Sequence, residues 1–298
     1  MNVLVTGATG FCGTHIIRHL IQEGHSIFAL TRESNPEITG QLAKLPRVTV
    51  ISRDLVDLQE LPPAIDVIVH AAATSLQGAA TVKDFVYDNI VGTHQLAAAA
   101  ERSNARRIIY LSSLSLYGYV NVPILQETTA MCDPEPYGLS KYMAEIILRE
   151  STPSKPSISL RLPAVLGKSR NQNWFVKTTE KAARGEDIGI FDPDGRTNQA
   201  IYIEDLTLFI GKLVRQEFKN TDIVTIAASG GLTIRQIVEK MQRKFGSKSK
   251  IFVENSRRCA NVILNDRAIK NYGYVPRDFE EVLERYFSSI EDRVAGEN

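Results

Sequence analysis

The chain is poor in cysteine. Cys12, Cys132 and Cys259 are its only three, far apart and with no C-x-x-C pair. An odd, sparse count points to reduced thiols in a cytosol-like compartment, and no metal site is expected. An excess of charge of one sign is also missing. Lys and Arg number 35 and Asp and Glu 34, a net +1, so no global field favours nucleic acid or an anionic membrane. No apolar run reaches the ~18 residues needed to span a bilayer. The sequence opens directly on an apolar strand, which leaves no room for a signal peptide. There is no repeat of fixed period, no low-complexity stretch and no flexible linker. What remains is a cytoplasmic globular protein, with neither nucleic acid nor membrane as partner. Its 298 residues, 43% of them hydrophobic, suffice for one large α/β unit or two small domains.

What is present begins at Val3. Val3 to Val5 reads as a buried parallel strand. Gly7, Gly10 and Gly13 follow at spacing G-x-x-G-x-x-G, and Ile16, Ile17, Leu20 and Ile21 then recur at helical spacing. Strand, glycine turn and helix in that order put a helix N-terminus where a phosphate can sit. Gly7 permits the tight turn, Gly10 the approach of a pyrophosphate, and Gly13 the close packing of helix on sheet. A βα turn that binds nothing shares these glycines, and the strand before and helix after are what favour a dinucleotide.

Further strands are read at Ser26 to Leu30, Val48 to Ile51, Ile65 to Val69, Ile108 to Leu111 and Ser157 to Leu162. Helices alternate with them, one running from about Val82 to Arg102 and one from Tyr137 to Glu150. Such alternation implies a doubly wound parallel sheet. Beyond it, helices are expected at Trp174 to Arg184, Leu206 to Gln216 and Thr233 to Phe245, and a strand at Asp222 to Ala227. The second strand closes on Thr31-Arg32, where an acidic residue would accept from the adenine ribose. Arg32 can hold a 2′-phosphate by charge-assisted bonds or be a solvated loop arginine. The missing carboxylate points to NADP. Asp54 can accept from the adenine amino group or cap a turn. The small residues Ala71 and Ala72 leave space for the cofactor, and His70 is expected to pack beside its strand rather than to react.

Tyr137 and Lys141 lie four apart at the start of a helix, on one face. A phenol is a poor base at neutral pH, and a nearby cation and the helix N-terminus favour its phenolate. Ser113 leaves the C-terminal end of the fifth strand, where ligands of open α/β sheets bind. The set fits a carbonyl/alcohol centre, with Tyr137 as acid or base, Ser113 as orienter, Lys141 as tuner and a nicotinamide as hydride partner.

At these residues the chain resembles the extended short-chain dehydrogenase/reductases, which include nucleotide-sugar epimerases, dehydratases and reductases. The resemblance is carried by Gly7-x-x-Gly10-x-x-Gly13, Asp54-Leu55, His70-Ala71-Ala72, Asn89-x-x-Gly92-Thr93, Ser112-Ser113 leading to Tyr117-Gly118, Tyr137-x-x-x-Lys141, Arg161-Leu162-Pro163 and Ile203-Glu204-Asp205-Leu206. It implies a Rossmann domain over residues 1–165. A smaller C-terminal substrate region would cover 166–298, with about 198–228 returning to the main domain. It also implies Ser113, Tyr137 and Lys141 as the catalytic residues, Ser113 being the serine four before Tyr117. Phe11 and Cys12 would offer backbone N–H groups, and Leu55 and Asn89 would join the cofactor contacts. Homodimers through a four-helix contact are common in the family.

The chain also departs from the family pattern. Members that use NAD usually carry Asp where Thr31 stands, and those with Arg at the next place often use NADP. Ala164 replaces a frequent Asn. Asn198 stands where sugar-nucleotide enzymes place a diphosphate arginine, and Arg196 is two residues away. Asn173 fits an asparagine facing the sugar diphosphate, and Arg257 or Arg258 a second cation. Each arginine is equally read as a solvated surface side chain. The expected function is therefore NADP-dependent reduction of a keto group on a nucleotide-activated deoxysugar, as in surface-polysaccharide synthesis. The alternatives are an NAD-dependent 4-epimerase and a catalytically silent dinucleotide sensor. A sensor would lose Tyr137 or Lys141. A dehydratase would need an acid beside Ser113, where Leu114 and Ser115 stand.

Overall fold

β-branched runs covered on both faces become the centre of a sheet. In the computed structural model, which describes residues 1–32, 35–75, 79–168 and 173–295, seven strands form one parallel sheet. They are β1 (Asn2–Thr6), β2 (Ser26–Thr31), β3 (Val48–Ser52), β4 (Val67–His70), β5 (Arg107–Ser113), β6 (Ser157–Leu162) and β7 (Asp222–Thr225). Their order is β7-β6-β5-β4-β1-β2-β3. The chain reverses direction across the sheet between β1 and β4, and such a switch point opens a crevice beyond the strands' C-terminal ends. There Thr6 lies opposite both Leu30 and His70.

Val3, Leu4, Val5, Val67, Ile68, Val69, Ile108 and Ile109 are wholly buried. Each buried aliphatic side chain of this kind contributes roughly 1.5–3 kcal/mol. Helix α1 (Phe11–Gln22) buries Ile16, Ile17 and Leu20 against the sheet, as their spacing predicts. Among the described residues no helix is long and apolar enough to cross a membrane.

The helical expectations differ from the structure in three places. Pro36–Ala43 forms a helix that the sequence reading passed over, opened by Asn35 accepting from the Ile38 N–H at 3.2 Å. Between β3 and β4 there is only the 3₁₀ turn Leu55–Asp57, so strict alternation breaks there. The helix expected from Val82 to Arg102 is a short α turn at Val82–Asp84, a π-helical stretch at Phe85–Val91, and helix α2 (Gly92–Glu101). The later strand ends at Thr225 rather than Ala227.

The chain divides into two compact units. One comprises Met1–Leu116, Pro134–Arg161 and Leu206–Val224 and holds the sheet. The other comprises Tyr117–Asp133, Leu162–Asp205 and Thr225–Asn298. Its short strands pair two by two: Ala164–Leu166 with Ala200–Tyr202, Ile188–Ile190 with Ile251–Val253, Arg196–Thr197 with Leu232–Thr233, and Ile124–Leu125 with Val262–Ile263.

Candidate active site

The glycine turn is built by close approach. Gly7 has φ +64, and a Cβ there would lie 2.7 Å from the backbone of Ala72. A Cβ on Gly13 would drive into the Gly7 carbonyl, so helix α1 can start only if that position is bare. Gly10 caps α1 without any side-chain bond, which leaves the first N–H groups of the helix, Phe11 and Cys12 among them, for an anion. Next to this turn lies a cleft of about 190 Å³. Gly7, Thr9 and Gly10 line it together with Ala71, Ala72 and Ala73 and with the polar residues Thr31, Arg32, Arg53, Asp54 and Asp88. A bare helix N-terminus, a cradle that any Cβ would fill and a polar lining fit a dinucleotide.

Gly7, Gly10, Arg32, Asp54, Leu55, Ala71 and Ala72 of the expected cofactor residues line this cleft, where Arg32 is already engaged and Asp54 caps a turn as its alternative reading expects. Arg32 Nη1 donates to Asp88 Oδ2 at 3.0 Å and lies 4.0 Å from Asp54 Oδ2. Asp54 also caps the Leu55–Asp57 turn through the Val56 N–H. Asn89 does not line the cleft. It is buried, its Oδ1 accepting from the Thr74 N–H at 2.7 Å and its Nδ2 donating to the Thr74 carbonyl and the Ser140 hydroxyl, each at 2.9 Å.

His70 is held the same way. The Thr93 hydroxyl donates to the Asn89 carbonyl at 2.5 Å, so it accepts from His70 Nε2 at 2.9 Å. Nδ1 then accepts from the Thr6 hydroxyl at 2.7 Å, and Thr6 Oγ1 accepts from the Ala72 N–H at 3.1 Å. Burial, followed by the charge of Lys141, pushes His70 down to about 3. A neutral imidazole with one fixed tautomer therefore positions Ala72 below the cleft. The expectation of a packed rather than reactive histidine agrees with this.

Ser113, Tyr137 and Lys141 come together in the same unit. Helix α3 (Pro136–Ser151) opens on Pro136 and lies directly on the turn that follows β5, because a Cβ on Gly138 would drive into the Ser115 carbonyl. That contact places Tyr137 in hydrogen-bond reach of Ser113, whose Oγ also accepts from the Ser115 N–H at 3.1 Å. The Tyr137 ring packs on Phe85 with centroids 5.9 Å apart. Lys141 is buried, its Nζ 4.3 Å from the centre of the Tyr110 ring.

The electrostatics correct one expectation. Burial pushes the Tyr137 phenol up to about 12, although the Ser113 hydrogen bond pulls it down. Burial likewise pushes Lys141 down to about 7, with Glu145 and then Cys12 opposing. A dry site penalises the charged form of both groups, and this outweighs the helix N-terminus. The Cys12 thiol is pushed up to about 12 by burial and stays protonated. Glu145 was missed by the sequence reading, although it stands four residues after Lys141 on the same face. It accepts from Ser112 Oγ at 2.5 Å and from Arg161 Nε and Nη2 at 3.1 and 2.8 Å.

The expected substrate residues belong to the other unit. Asn173 caps the helix Trp174–Arg184 by accepting from the Val176 N–H at 3.1 Å. Arg196 donates to the Gly231 carbonyl at 2.6 Å. Arg258 is exposed, and its N–H donates to Ser256 Oγ at 3.1 Å. Arg257 pairs with Asp133 at 2.9 Å and lies over the Tyr119 ring. Asn198 is internal, donating to the Ala228 and Ile263 carbonyls at 2.7 and 3.0 Å.

Residues 3–227 match the model of the NAD dependent epimerase/dehydratase family. The UDP-glucose 4-epimerase of Haemophilus influenzae is 27% identical over 243 residues, 77% of this chain and 68% of that protein. Among solved structures, a UDP-glucuronic acid 4-epimerase from Bacillus cereus, in complex with UDP-glucuronic acid and NAD, has a TM-score of 0.84 at 21% identity. The match covers 98% of this chain and 100% of that one. A dTDP-glucose 4,6-dehydratase from Streptomyces venezuelae with NAD bound has a TM-score of 0.83 at 19% identity, over 99% of this chain and 98% of the other. At these identities the two structures share the fold with this chain.

Proposed function

The chain belongs to the NAD dependent epimerase/dehydratase family, and from that premise we propose that it is a nucleotide-sugar 4-epimerase that retains NAD. The observation that carries the reading is the intact set of Ser113, Tyr137 and Lys141 beside a turn without acid. Leu114 is buried and Ser115 bears only a hydroxyl, so no carboxyl stands there to move a proton at the neighbouring carbon, as a 4,6-dehydratase requires. The adenosine end favours NAD over the NADP expected from sequence, because Arg32 is already engaged by carboxylates. A UDP-hexose is the substrate class, supported by the names of the similar epimerases.

Bound NAD, held by the glycine turn and the cleft beside it, would supply a reversible hydride acceptor for the sugar carbon. Tyr137 takes the proton of the C4 hydroxyl and gives it back to the ketone oxygen once the sugar has turned its other face. Ser113 donates to that oxygen and fixes its distance from Tyr137. Lys141 supplies the charge that makes the phenolate accessible, and Glu145 and Arg161 hold the surrounding framework. An epimerase consumes no cofactor, so tight retention costs it nothing in turnover. Denaturing the purified protein should release NAD in amounts approaching one per chain, read by mass spectrometry of the supernatant. Release of NADP, or of no dinucleotide, would sink the retained-NAD reading.

A further inference from the structure

Among the described residues, the end of β2 offers no carboxylate to an adenosine ribose; Glu33, which follows Arg32, lies outside them. Thr31 closes the strand, its hydroxyl donating to the Arg32 carbonyl at 2.9 Å and lying 3.2 Å from the Thr9 hydroxyl. Two carboxylates reach this part of the cleft from elsewhere. Asp54 comes from the turn after β3, and Asp88 from the π-helical stretch Phe85–Val91. Arg32 lies between them, bonded to Asp88 at 3.0 Å and 4.0 Å from Asp54.

Asp88 is the better fixed of the pair. Its Oδ2 also accepts from the Thr74 hydroxyl, while the next residue, Asn89, clamps the Thr74 main chain through bonds of 2.7 and 2.9 Å. The wider i→i+5 turn of a π-helix lets these two consecutive residues bear on one loop. Among the described residues, the charges lining the cleft balance, Arg32 and Arg53 against Asp54 and Asp88. A guanidinium binds phosphate as an open fork, and here part of the fork is taken. A 2′-phosphate brings close to two negative charges at neutral pH and would meet carboxylates that are themselves negative.

We infer that Asp88 sets the dinucleotide preference of this chain: it neutralises Arg32, presents a carboxylate to the ribose hydroxyls, and excludes a 2′-phosphate. The role usually sought in an acid at the end of β2 is moved to a residue 56 positions beyond Arg32. The inference rests on the reading that this cleft holds NAD.

Asp88→Asn keeps the shape and the acceptor for Thr74 and removes only the charge. The test is a fluorescence titration of NADH and NADPH into cofactor-depleted wild type and variant. Wild type should prefer NADH. The variant should bind NADPH about tenfold more tightly and NADH more weakly, the scale of one charge removed from a partly screened site. Opposite shifts cannot come from damage to the fold. Asp54→Asn, a second route if Asp88→Asn fails to fold, should move NADPH the same way by less, since its carboxylate is farther from Arg32. A wild type that prefers NADPH overturns the NAD reading itself. A wild type that prefers NADH, with an unchanged ratio in both variants, leaves that reading standing and removes Asp88 from it.

Discussion

Tyr137→Phe should lower kcat by about 10³-fold, the middle to upper part of what a positioned acid–base group supplies, while the protein keeps its fold and its dinucleotide. The substitution removes one oxygen. The ring continues to pack on Phe85, and the small cleft beside Gly7 and Ala72 is untouched. What disappears is the hydroxyl proposed to take the C4 proton and return it. Ser113 has no such capacity, because its Oγ already accepts from the Ser115 N–H and a hydroxyl is a far weaker acid. Steady-state kinetics beside NADH titration separate the two effects. Unchanged turnover would remove Tyr137 from the chemistry, and lost dinucleotide binding would make its role structural.

Lys141→Met should give the second largest loss, about 10²-fold in kcat at neutral pH, together with a displaced pH profile. Tyr137 stands at about 12 and Lys141 at about 7, each moved chiefly by burial. Below pH 7 both hold their protons. Through about 7 the pair loses one, and the single-proton form includes phenolate beside ammonium, the form in which Tyr137 is a base. Oxidation of the sugar should therefore rise with pH through about 7 and then level. Without Lys141 the limb moves up toward the phenol's own titration. Stability runs in the same direction. A lysine lowered from its unfolded value to about 7 is protonated in the unfolded chain and neutral in the native one between those two values. Native protein gains stability as pH rises from about 7 toward the ordinary lysine value. Met at this position removes a buried charge, so it flattens that rise without unfolding the protein at neutral pH. A pH–rate limb that stays near 7 in Lys141→Met would contradict the pair.

The parts of this site that were legible in the sequence are those written in short-range spacing. Gly7, Gly10 and Gly13 announce a turn whose glycines are forced by contact with Ala72 and by the Gly7 carbonyl. Tyr137 and Lys141 are one helical turn apart, and the glycine between them at 138 is explained by the Ser115 carbonyl beneath it. The parts that were not legible depend on distant segments. Arg32 looked free because its partner Asp88 lies on another element, in a π-helical stretch that ordinary helical periodicity does not disclose. Asn89 looked like a cofactor ligand because its motif is read as one, yet its three bonds hold Thr74 and Ser140. The direction of the Tyr137 shift was misjudged for the same reason: burial is a property of the assembled fold, and it outweighs the local helix N-terminus.

One measurement bears on the epimerase reading most directly. The purified protein, with no dinucleotide added, is incubated with a UDP-hexose in large excess, and the C4 epimers are followed by NMR. A retained cofactor that is oxidised again in each cycle carries the mixture to its equilibrium ratio over many turnovers per chain. Conversion that stops at one equivalent of bound dinucleotide, or that is absent while a UDP-4-keto-hexose is reduced with stoichiometric NADPH, would contradict the account.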